Sequence, residues 1–253
     1  MIYPFTTLLI PLSSPPNRSQ HIASPPPATT SPPTILLSSE EIRLLYTIHH
    51  HNLIHLTGVC FDDGHWYLVY EFAVNGPLSD WIYYNALSGN KSLNWMQRVQ
   101  IALGVANGLA YLHSYTTPPY VYKNLESGNI LLDGDFRPKI TNFDLAMSAE
   151  GQEGQFALTR HIVDVYGFGV LLLEIVTGKH VSDLYEKVNK NLSEVLYDVL
   201  QEENTNTNEK LTGFIDQRLQ GNYPPQLTMY VVKLIDGCLS KDPSARPDMN
   251  RYE

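Results

Sequence analysis

Amide and carboxylate side chains that could serve a metal-assisted reaction lie close together in one stretch of the sequence. Asn124, Glu126 and Asn129 fall within six residues, and Asn142 follows thirteen residues after Asn129. Magnesium prefers carboxylate oxygens, and a neutral amide oxygen is a poorer ligand for it. An amide also cannot accept a proton from a hydroxyl group. These four residues therefore offer oxygen ligands but only one carboxylate, that of Glu126.

The elements around this stretch predict an α+β fold dominated by helices. The spacing of apolar residues predicts helices over 41–46, 78–85, 95–113, 164–176, 193–202 and 227–239, with Ser92 or Asn94 capping the third. Strands are predicted over 52–61, 65–72, 129–133 and 138–142, with residues 62–64 forming a hairpin turn. The polar stretch 202–210 is predicted to be a solvated loop.

Composition excludes several classes of protein. The chain has 253 residues and a formal charge of −9, whereas a nucleic-acid binder needs a basic face. Its two cysteines, Cys60 and Cys238, support neither a disulfide framework nor a cysteine-based zinc site. A hydrophobic share of 43% is typical of a globular protein.

The N-terminal region differs in composition from the rest. Residues 1–39 hold nine of the 17 prolines and many Ser and Thr, which favours an extended linker. The apolar run 8–12 is far shorter than the about 20 residues that cross a bilayer. We therefore expect no transmembrane segment in this chain.

Four motifs, in order, resemble those of protein kinases. Residues 121–133 (VYKNLESGNILLD) resemble the catalytic loop H-R-D-x-K-x-x-N, and residues 139–146 (KITNFDLA) resemble the metal-binding D-F-G segment. Residues 164–170 and 238–247 resemble the start of the central buried helix and the Arg-Pro signature near the end of the domain. The resemblance implies a protein-kinase-like fold over 40–253, with a partial N-lobe at 40–74 and a helical C-lobe at 75–253.

Finer features resemble plant receptor-like kinases. Residues 50–54 (HHNLI) and 68–72 (LVYEF) are similar to that group. Tyr122, Asn124 and the segment 159–161 (TRH) are most similar to its LysM receptor-like kinase branch, whose ectodomain senses chitin-type oligosaccharides. Residues 1–39 would then be a linker or the remnant of an ectodomain. The resemblance implies a place on the cytoplasmic side of the plasma membrane, and the chain as given would be cytoplasmic.

The resemblance also assigns site residues, and several depart from the family pattern. Asn124 occupies the proton-acceptor position, where active kinases have Asp, and Glu126 replaces the Lys that contacts phosphate. Asn129 and Asn142 occupy the two metal positions, and only Asn129 matches the family. The residual adenine site would comprise Tyr70, Glu71, Ala73 and Leu131. ATP and magnesium are the family's cofactors, but these substitutions predict poor binding of both.

Further residues match structural positions of the family. They are Glu41, Leu45, Leu56, Tyr122, Phe143, Asp164 and Arg246. No G-x-G-x-x-G motif and no lysine precede Glu41, so the lysine that pairs with this glutamate in kinases is not found. The family pattern has an A-P-E motif before the buried helix, but here Ile162 is followed directly by Val163. We therefore expect Arg246 to lack its usual glutamate partner.

Three functions are compatible with these features. The first is a catalytically impaired kinase-like module that binds an active receptor-like kinase as its protein partner. The second is an active serine/threonine kinase, and the third is a non-functional fragment.

A metal site at His49, His50, His51 and His55 is a further possibility, because residues four apart share a face of a helix. The resemblance instead places these histidines on a loop that enters a strand, and we favour that interpretation.

Overall fold

The computed structural model describes residues 8–11, 44–62, 65–83, 92–148, 155–186, 192–200 and 207–249. Within these ranges the structure is α+β, with a small sheet beside a larger helical body. This confirms the predicted fold class. Glu41 and the turn residues Asp63 and Gly64 lie outside the described residues.

The small sheet contains β1 (Leu8–Pro11), β2 (Leu56–Asp62) and β3 (His65–Tyr70). The strand order is β1-β3-β2, and both pairs are antiparallel. Asp62 pairs with His65, as the predicted hairpin requires. β1 lies within the range predicted to be a linker, and its pairing with β3 was not foreseen because four residues give too short a pattern.

The strand predicted over 52–61 was wrong in its first half. Leu53 forms an isolated parallel bridge with Ile140, and the Ile140 amide donates to the Asn52 carbonyl at 2.8 Å. These residues therefore pair with the helical body, and the strand of the small sheet begins only at Leu56. A short helix, α1 (residues 44–47), precedes this crossing and buries Leu44 and Leu45.

Short strands lie against the helical body. β4 (Gly76–Pro77), β6 (Ile130–Leu132) and β7 (Pro138–Ile140) form one antiparallel sheet, and β5 (Tyr120–Val121) pairs with β8 (Met147–Ser148). β6 and β7 confirm the two strands predicted near 129–133 and 138–142. The loop with Asn124, Glu126 and Asn129 runs from β5 to β6, so both ends of the loop are fixed by strand pairing.

The helices of the body are α2 (Ser79–Ile82), α3 (Trp95–Ser114), α4 (Gln155–Thr177), α5 (Val181–Tyr185), α6 (Tyr197–Leu200), α7 (Thr207–Phe214) and α8 (Pro225–Cys238). Short 3-10 turns occupy Ser127–Asn129, Leu192–Leu196, Gln217–Leu219 and Pro243–Ala245. The core is continuous across these elements.

Several predicted boundaries need correction. α4 begins at Gln155, nine residues before the predicted start at Asp164. α7 includes residues 207–210, which were predicted to be loop. The helix predicted over 193–202 is a 3-10 turn followed by the four-residue α6. α7 and α6 are short and partly polar, so packing rather than sequence pattern determines their conformation.

The long helix α3 is defined at its start by a capping box. The Gln97 amide donates to the Asn94 side chain at 2.9 Å, and the Asn94 amide donates to the Gln97 side chain at 3.0 Å. Both bonds satisfy amides that a helix N-terminus would leave without partners. Asn94, rather than Ser92, is therefore the cap.

One buried ion pair ties α3 to the rest of the body. The Arg98 side chain donates to the carbonyls of Leu93 and Ile175 and to the Asp216 carboxylate. Burial alone would raise the pKa of Asp216, but hydrogen bonds from Arg218 and the charge of Arg98 outweigh that effect and lower it. A lowered pKa keeps this carboxylate charged, so the ion pair stabilises the fold above the ordinary pKa of an aspartate.

We predict that Gly104→Ala destabilises the fold by about 1–3 kcal/mol, the usual cost of overpacking. A β-carbon at Gly104 would lie 2.5 Å from Pro138 Cγ and 2.8 Å from Asn52 Nδ2. The matched control is Gly213→Ala in α7, where no atom lies within 4 Å of the added carbon. Urea unfolding followed by circular dichroism measures both variants, and equal stability of the two would contradict the packing described here.

Candidate functional site

The loop between β5 and β6 is held by one buried carboxylate. Asp164, in α4, has no solvent exposure, and its Oδ2 and Oδ1 accept hydrogen bonds from the amides of Tyr122 and Lys123 at 2.8 and 2.7 Å. His113 Nε2 of α3 lies 2.7 Å from the same carboxylate. Lys123 has a φ of 67°, a left-handed conformation that carries some backbone cost. The carboxylate thus orients the residues just before Asn124.

Two buried aromatic rings connect this loop to the segment after β7. Tyr122 and Phe143 meet edge to face with centroids 5.5 Å apart, and the Tyr122 hydroxyl donates to the Thr141 carbonyl. Burial raises the pKa of Tyr122 well above its ordinary value, so the hydroxyl stays protonated as a donor. Leu45 is buried and Leu56 packs against the same core. The predicted structural residues 45, 56, 122, 143 and 164 therefore all belong to one packed region.

The amide side chains of the site bond to their neighbours. Asn142 Nδ2 donates to Asn129 Oδ1 at 3.3 Å, and Asn129 Nδ2 donates to both the Asn124 carbonyl and Glu126 Oε1 at 3.0 Å. Asn124 Nδ2 in turn donates to Asp144 Oδ1 at 3.2 Å. The structure brings together all four site residues predicted from the loop and its following segment.

This arrangement does not fit magnesium. Neither metal position carries a carboxylate, and the Asn129 side-chain oxygen accepts a hydrogen bond from Asn142. Magnesium needs oxygen ligands in a near-octahedral arrangement and favours carboxylates among protein groups. The described ranges contain no group of three or more His, Cys, Asp or Glu side chains that could hold a metal ion.

The predicted adenine residues lie where the small sheet meets the body. Tyr70 and Ala73 are buried, and Leu131 is partly buried in β6. Glu71 is bound to neighbours on both sides, since its carboxylate accepts from the His55 amide at 2.9 Å and from Lys139 Nζ at 3.1 and 3.2 Å. The Glu71–Lys139 ion pair links the small sheet to the segment that leads to Asn142.

Arg246 has backbone and aromatic partners. Its side chain donates to the carbonyls of Ser240 and Ile162 at 3.0 Å each, and its guanidinium lies 4.9 Å from the centre of the Tyr166 ring. Among the ion pairs formed by described residues, none involves Arg246. Two backbone carbonyls and the face of the Tyr166 ring are thus the partners of Arg246, where the family pattern has a glutamate.

A second polar cluster beside the loop was missed by the sequence analysis. Glu174 of α4 is buried, accepts from the Val181 amide at 2.9 Å and hydrogen-bonds to Tyr83. The Tyr83 hydroxyl lies 2.8 Å from Ser127 Oγ. Burial raises the pKa of Glu174, partly offset by these bonds. The one available signal was a glutamate interrupting the apolar run 170–176.

The four histidines lie on the loop between α1 and β2. His50 stacks on Tyr111 with centroids 4.9 Å apart and lies 4.3 Å from the His51 ring, while His49 and His55 are 6.0 Å apart. Burial, followed by the charges of His51 and Lys139, lowers the pKa of His50 to about 4. These rings pack against each other and against α3, which agrees with the preferred interpretation of a His-rich loop.

No helix within the described ranges is both long and apolar enough to cross a membrane.

Comparison with known proteins identifies relatives of the chain. Residues 29–161 and 152–253 match the family described as protein tyrosine and serine/threonine kinase. Protein LYK5 of Arabidopsis thaliana is 39% identical over 235 residues, covering 83% of this chain and 35% of that protein. LysM domain receptor-like kinase 10 of Oryza sativa subsp. japonica is 37% identical over 230 residues, covering 82% and 37% respectively. The chain thus spans little more than a third of the length of these two curated relatives.

We predict that Asp164→Asn destabilises the protein by about 3–5 kcal/mol, as breaking a buried charged network does. The side-chain NH2 of the asparagine is a donor, and it would face one of the two backbone amides that now donate hydrogen bonds to Asp164. Asp144→Asn, the same change at an exposed site, is the control and should alter stability by less than about 0.5 kcal/mol. Thermal and urea unfolding measure both; similar losses would contradict the role given to Asp164.

We predict that acid weakens folding through His50. The pKa of its imidazole falls from 6.5 to about 4 in the folded protein, so the unfolded chain binds more protons between these values. Stability due to this group is therefore present above the ordinary pKa and lost as pH falls toward 4. NMR titration of the imidazole C–H resonances tests this, and a His50 midpoint at or above 6.5 would refute it.

Proposed function

Because the chain belongs to the protein tyrosine and serine/threonine kinase family, we propose that it is a catalytically impaired kinase-like module. Its role is to bind an active receptor-like kinase and act as a signalling scaffold. The similarity to two LysM receptor-like kinases extends the proposal to the perception of chitin-type oligosaccharides. The receptor-like kinases among its relatives suggest the cytoplasmic side of the plasma membrane as its place of action.

The observation that carries this proposal is the amide network of Asn124, Asn129 and Asn142. Phosphoryl transfer depends on metal ions that neutralise phosphate charge and on a carboxylate that accepts the hydroxyl proton. Asn124 instead donates to Asp144, and Asn142 donates to Asn129. These side chains satisfy one another with hydrogen bonds rather than presenting anionic oxygen to a metal.

The charge at Glu126 acts in the same direction. This side chain is exposed on the loop and accepts a hydrogen bond from Asn129 at 3.0 Å. A carboxylate here would repel the terminal phosphate of ATP, where a lysine would attract it. Weak binding of ATP and magnesium is therefore part of the proposal.

The proposed scaffold role requires that the loop is ordered, not that it catalyses a reaction. Asp164 fixes the loop backbone, and Tyr122 and Phe143 connect it to the core. A rigid loop presents a constant surface to a partner, which reduces the entropy lost on binding.

The deciding experiment combines two measurements on the full chain. Mass spectrometry would follow phosphate transfer from magnesium ATP to a generic protein substrate, with an active receptor-like kinase as positive control. Coprecipitation with the kinase domain of an active LysM receptor-like kinase would measure partner binding, with an unrelated kinase domain as control. We expect no transfer and selective binding. Transfer by this chain alone would instead favour an active kinase, and loss of both activities would favour a non-functional fragment.

We predict that Asn124→Asp alone does not produce phosphorylation above the level of the unmodified chain. The new carboxylate could accept a proton, but both metal positions would still carry amides. Coprecipitation of the active kinase should be unchanged, because the loop backbone is held by Asp164. Autophosphorylation of this single variant, detected by phosphopeptide mass spectrometry, would contradict the proposal that the amides at the metal positions prevent catalysis.

A further inference from the structure

A groove of about 520 Å³ lies along α3, beside the loop that precedes β2. Three aromatic rings and one side-chain amide dominate its lining, which comprises His50, Leu103, Asn107, Ala110, Tyr111 and Tyr115. Residues 103, 107, 111 and 115 follow one another at intervals of four, so they form one stripe along the helix and the residue just after it. Tyr115 is 65% exposed and Leu103 is 46% exposed, so the stripe is accessible.

The length of the stripe suits a short extended peptide. Leu103 and Tyr115 are twelve positions apart, which at the helical rise of 1.5 Å per residue corresponds to about 18 Å. A polyproline helix rises 3.1 Å per residue, so about six of its residues cover this distance.

The lining is aromatic and uncharged. The His50 and Tyr111 rings stack with centroids 4.9 Å apart, and together with Tyr115 they provide three rings along the groove. Burial, followed by the charges of His51 and Lys139, lowers the pKa of His50 to about 4, so all the lining residues are neutral near pH 7. Grooves lined by aromatic rings bind proline-rich segments, whose rings pack against the aromatic faces.

Two hydrogen-bond donors of the groove are free and reachable. The Asn107 side-chain amide has no hydrogen-bond partner among the described residues. His50 Nδ1 accepts from the Asn52 amide at 3.2 Å, so the neutral ring carries its proton on Nε2, which donates to no described residue. Neither nitrogen is among the buried atoms without a partner, so a ligand can reach both. A polyproline helix has no internal hydrogen bonds, and its carbonyls need such donors.

The chain itself contains a segment of matching chemistry. Residues 24–33 (SPPPATTSPP) hold five prolines and no charged residue, a composition that favours the polyproline conformation. The stretch 12–43, which contains this segment, is anchored at both ends. Pro11 pairs with Tyr67 in the small sheet, and Leu44 is buried at the start of α1. The segment therefore stays close to the body and to the groove.

The chain is long enough for the segment to reach the groove. Six residue steps separate Leu44 from His50, so these residues lie at most about 22 Å apart. Eleven steps separate Pro33 from Leu44, which at 3.1 Å per residue span up to about 34 Å. Pro33 can therefore reach His50 with chain to spare.

We propose that residues 24–33 of this chain dock in the groove on α3 as a polyproline segment. Proline rings pack on His50, Tyr111 and Tyr115, and backbone carbonyls accept from Asn107 and from His50 Nε2. Tethering holds the segment at a local concentration of roughly millimolar, so a contact of modest affinity is sufficient. The proposal does not depend on the scaffold role, because neither the amide site nor a partner kinase takes part in the contact.

Nuclear Overhauser spectra of the full chain test the contact directly. We expect cross-peaks from proline Hδ protons of the segment to the ring protons of Tyr115, and order parameters above about 0.6 for the amides of residues 28–31. Absence of the cross-peaks would overturn the proposal. A mixture of labelled and unlabelled chains distinguishes the source of the segment: cross-peaks between chains would show that a second copy fills the groove, which would also overturn it.

Variants assign the contact to the groove. Tyr115→Ala should lower the order parameters of residues 28–31 below about 0.6. The control Tyr230→Ala, at a 72% exposed position of α8, should leave them unchanged. Equal effects of the two variants would contradict the assignment.

Competition measures the same contact by a second route. A peptide of residues 24–33, labelled with a fluorophore, should bind the chain whose five segment prolines are replaced by serine about tenfold or more tightly than the unmodified chain, because the tethered segment no longer competes. A peptide with alanine at each proline is the control and should not bind. Equal affinities for the two chains, or no binding to the replaced chain, would refute docking of the segment within its own chain.

Discussion

The carboxylate of Asp164 is the constraint on which the geometry of the amide site depends. It lies in the middle of the long helix α4 and accepts hydrogen bonds from the backbone amides of Tyr122 and Lys123. His113 Nε2 of α3 lies 2.7 Å from the same carboxylate. A buried charge is tolerated only when such partners surround it. The two longest helices and the loop are therefore joined at one point, and the side chains that follow on the loop have little freedom of placement.

The loop and the segment after β7 combine a packed frame with a network of side-chain amides. The rings of Tyr122 and Phe143 still pack, and Asn142 adopts a φ of 58°, a conformation that asparagine tolerates better than most residues. On that backbone, amides at positions 124, 129 and 142 bond among themselves and to Asp144. The loop thus has internal hydrogen bonds where metal-dependent chemistry would need anionic oxygen.

The helix α3 has different surroundings on its two sides. On one side the glycines allow Pro138 and Ile140 to approach closely, which attaches the short strands of the site to the body. On the other, Trp95, Val99 and Ala102 line an open apolar pocket between α3, α4 and α8, and the neighbouring Arg98 is neutralised by Asp216. Close packing on the glycine side of α3 thus supports the amide site.

The sequence by itself determined the long helices, the β6–β7 pair and the identity of the four amide-site residues, because strong apolar periodicity and a contiguous motif are local signals. Tertiary structure decided where residues 52–54 pair, that residues 207–214 are helical and that Leu8–Pro11 joins the small sheet. It also decided the Asn129–Asn142 bond and the Glu174 cluster, since each depends on groups brought together from distant parts of the chain.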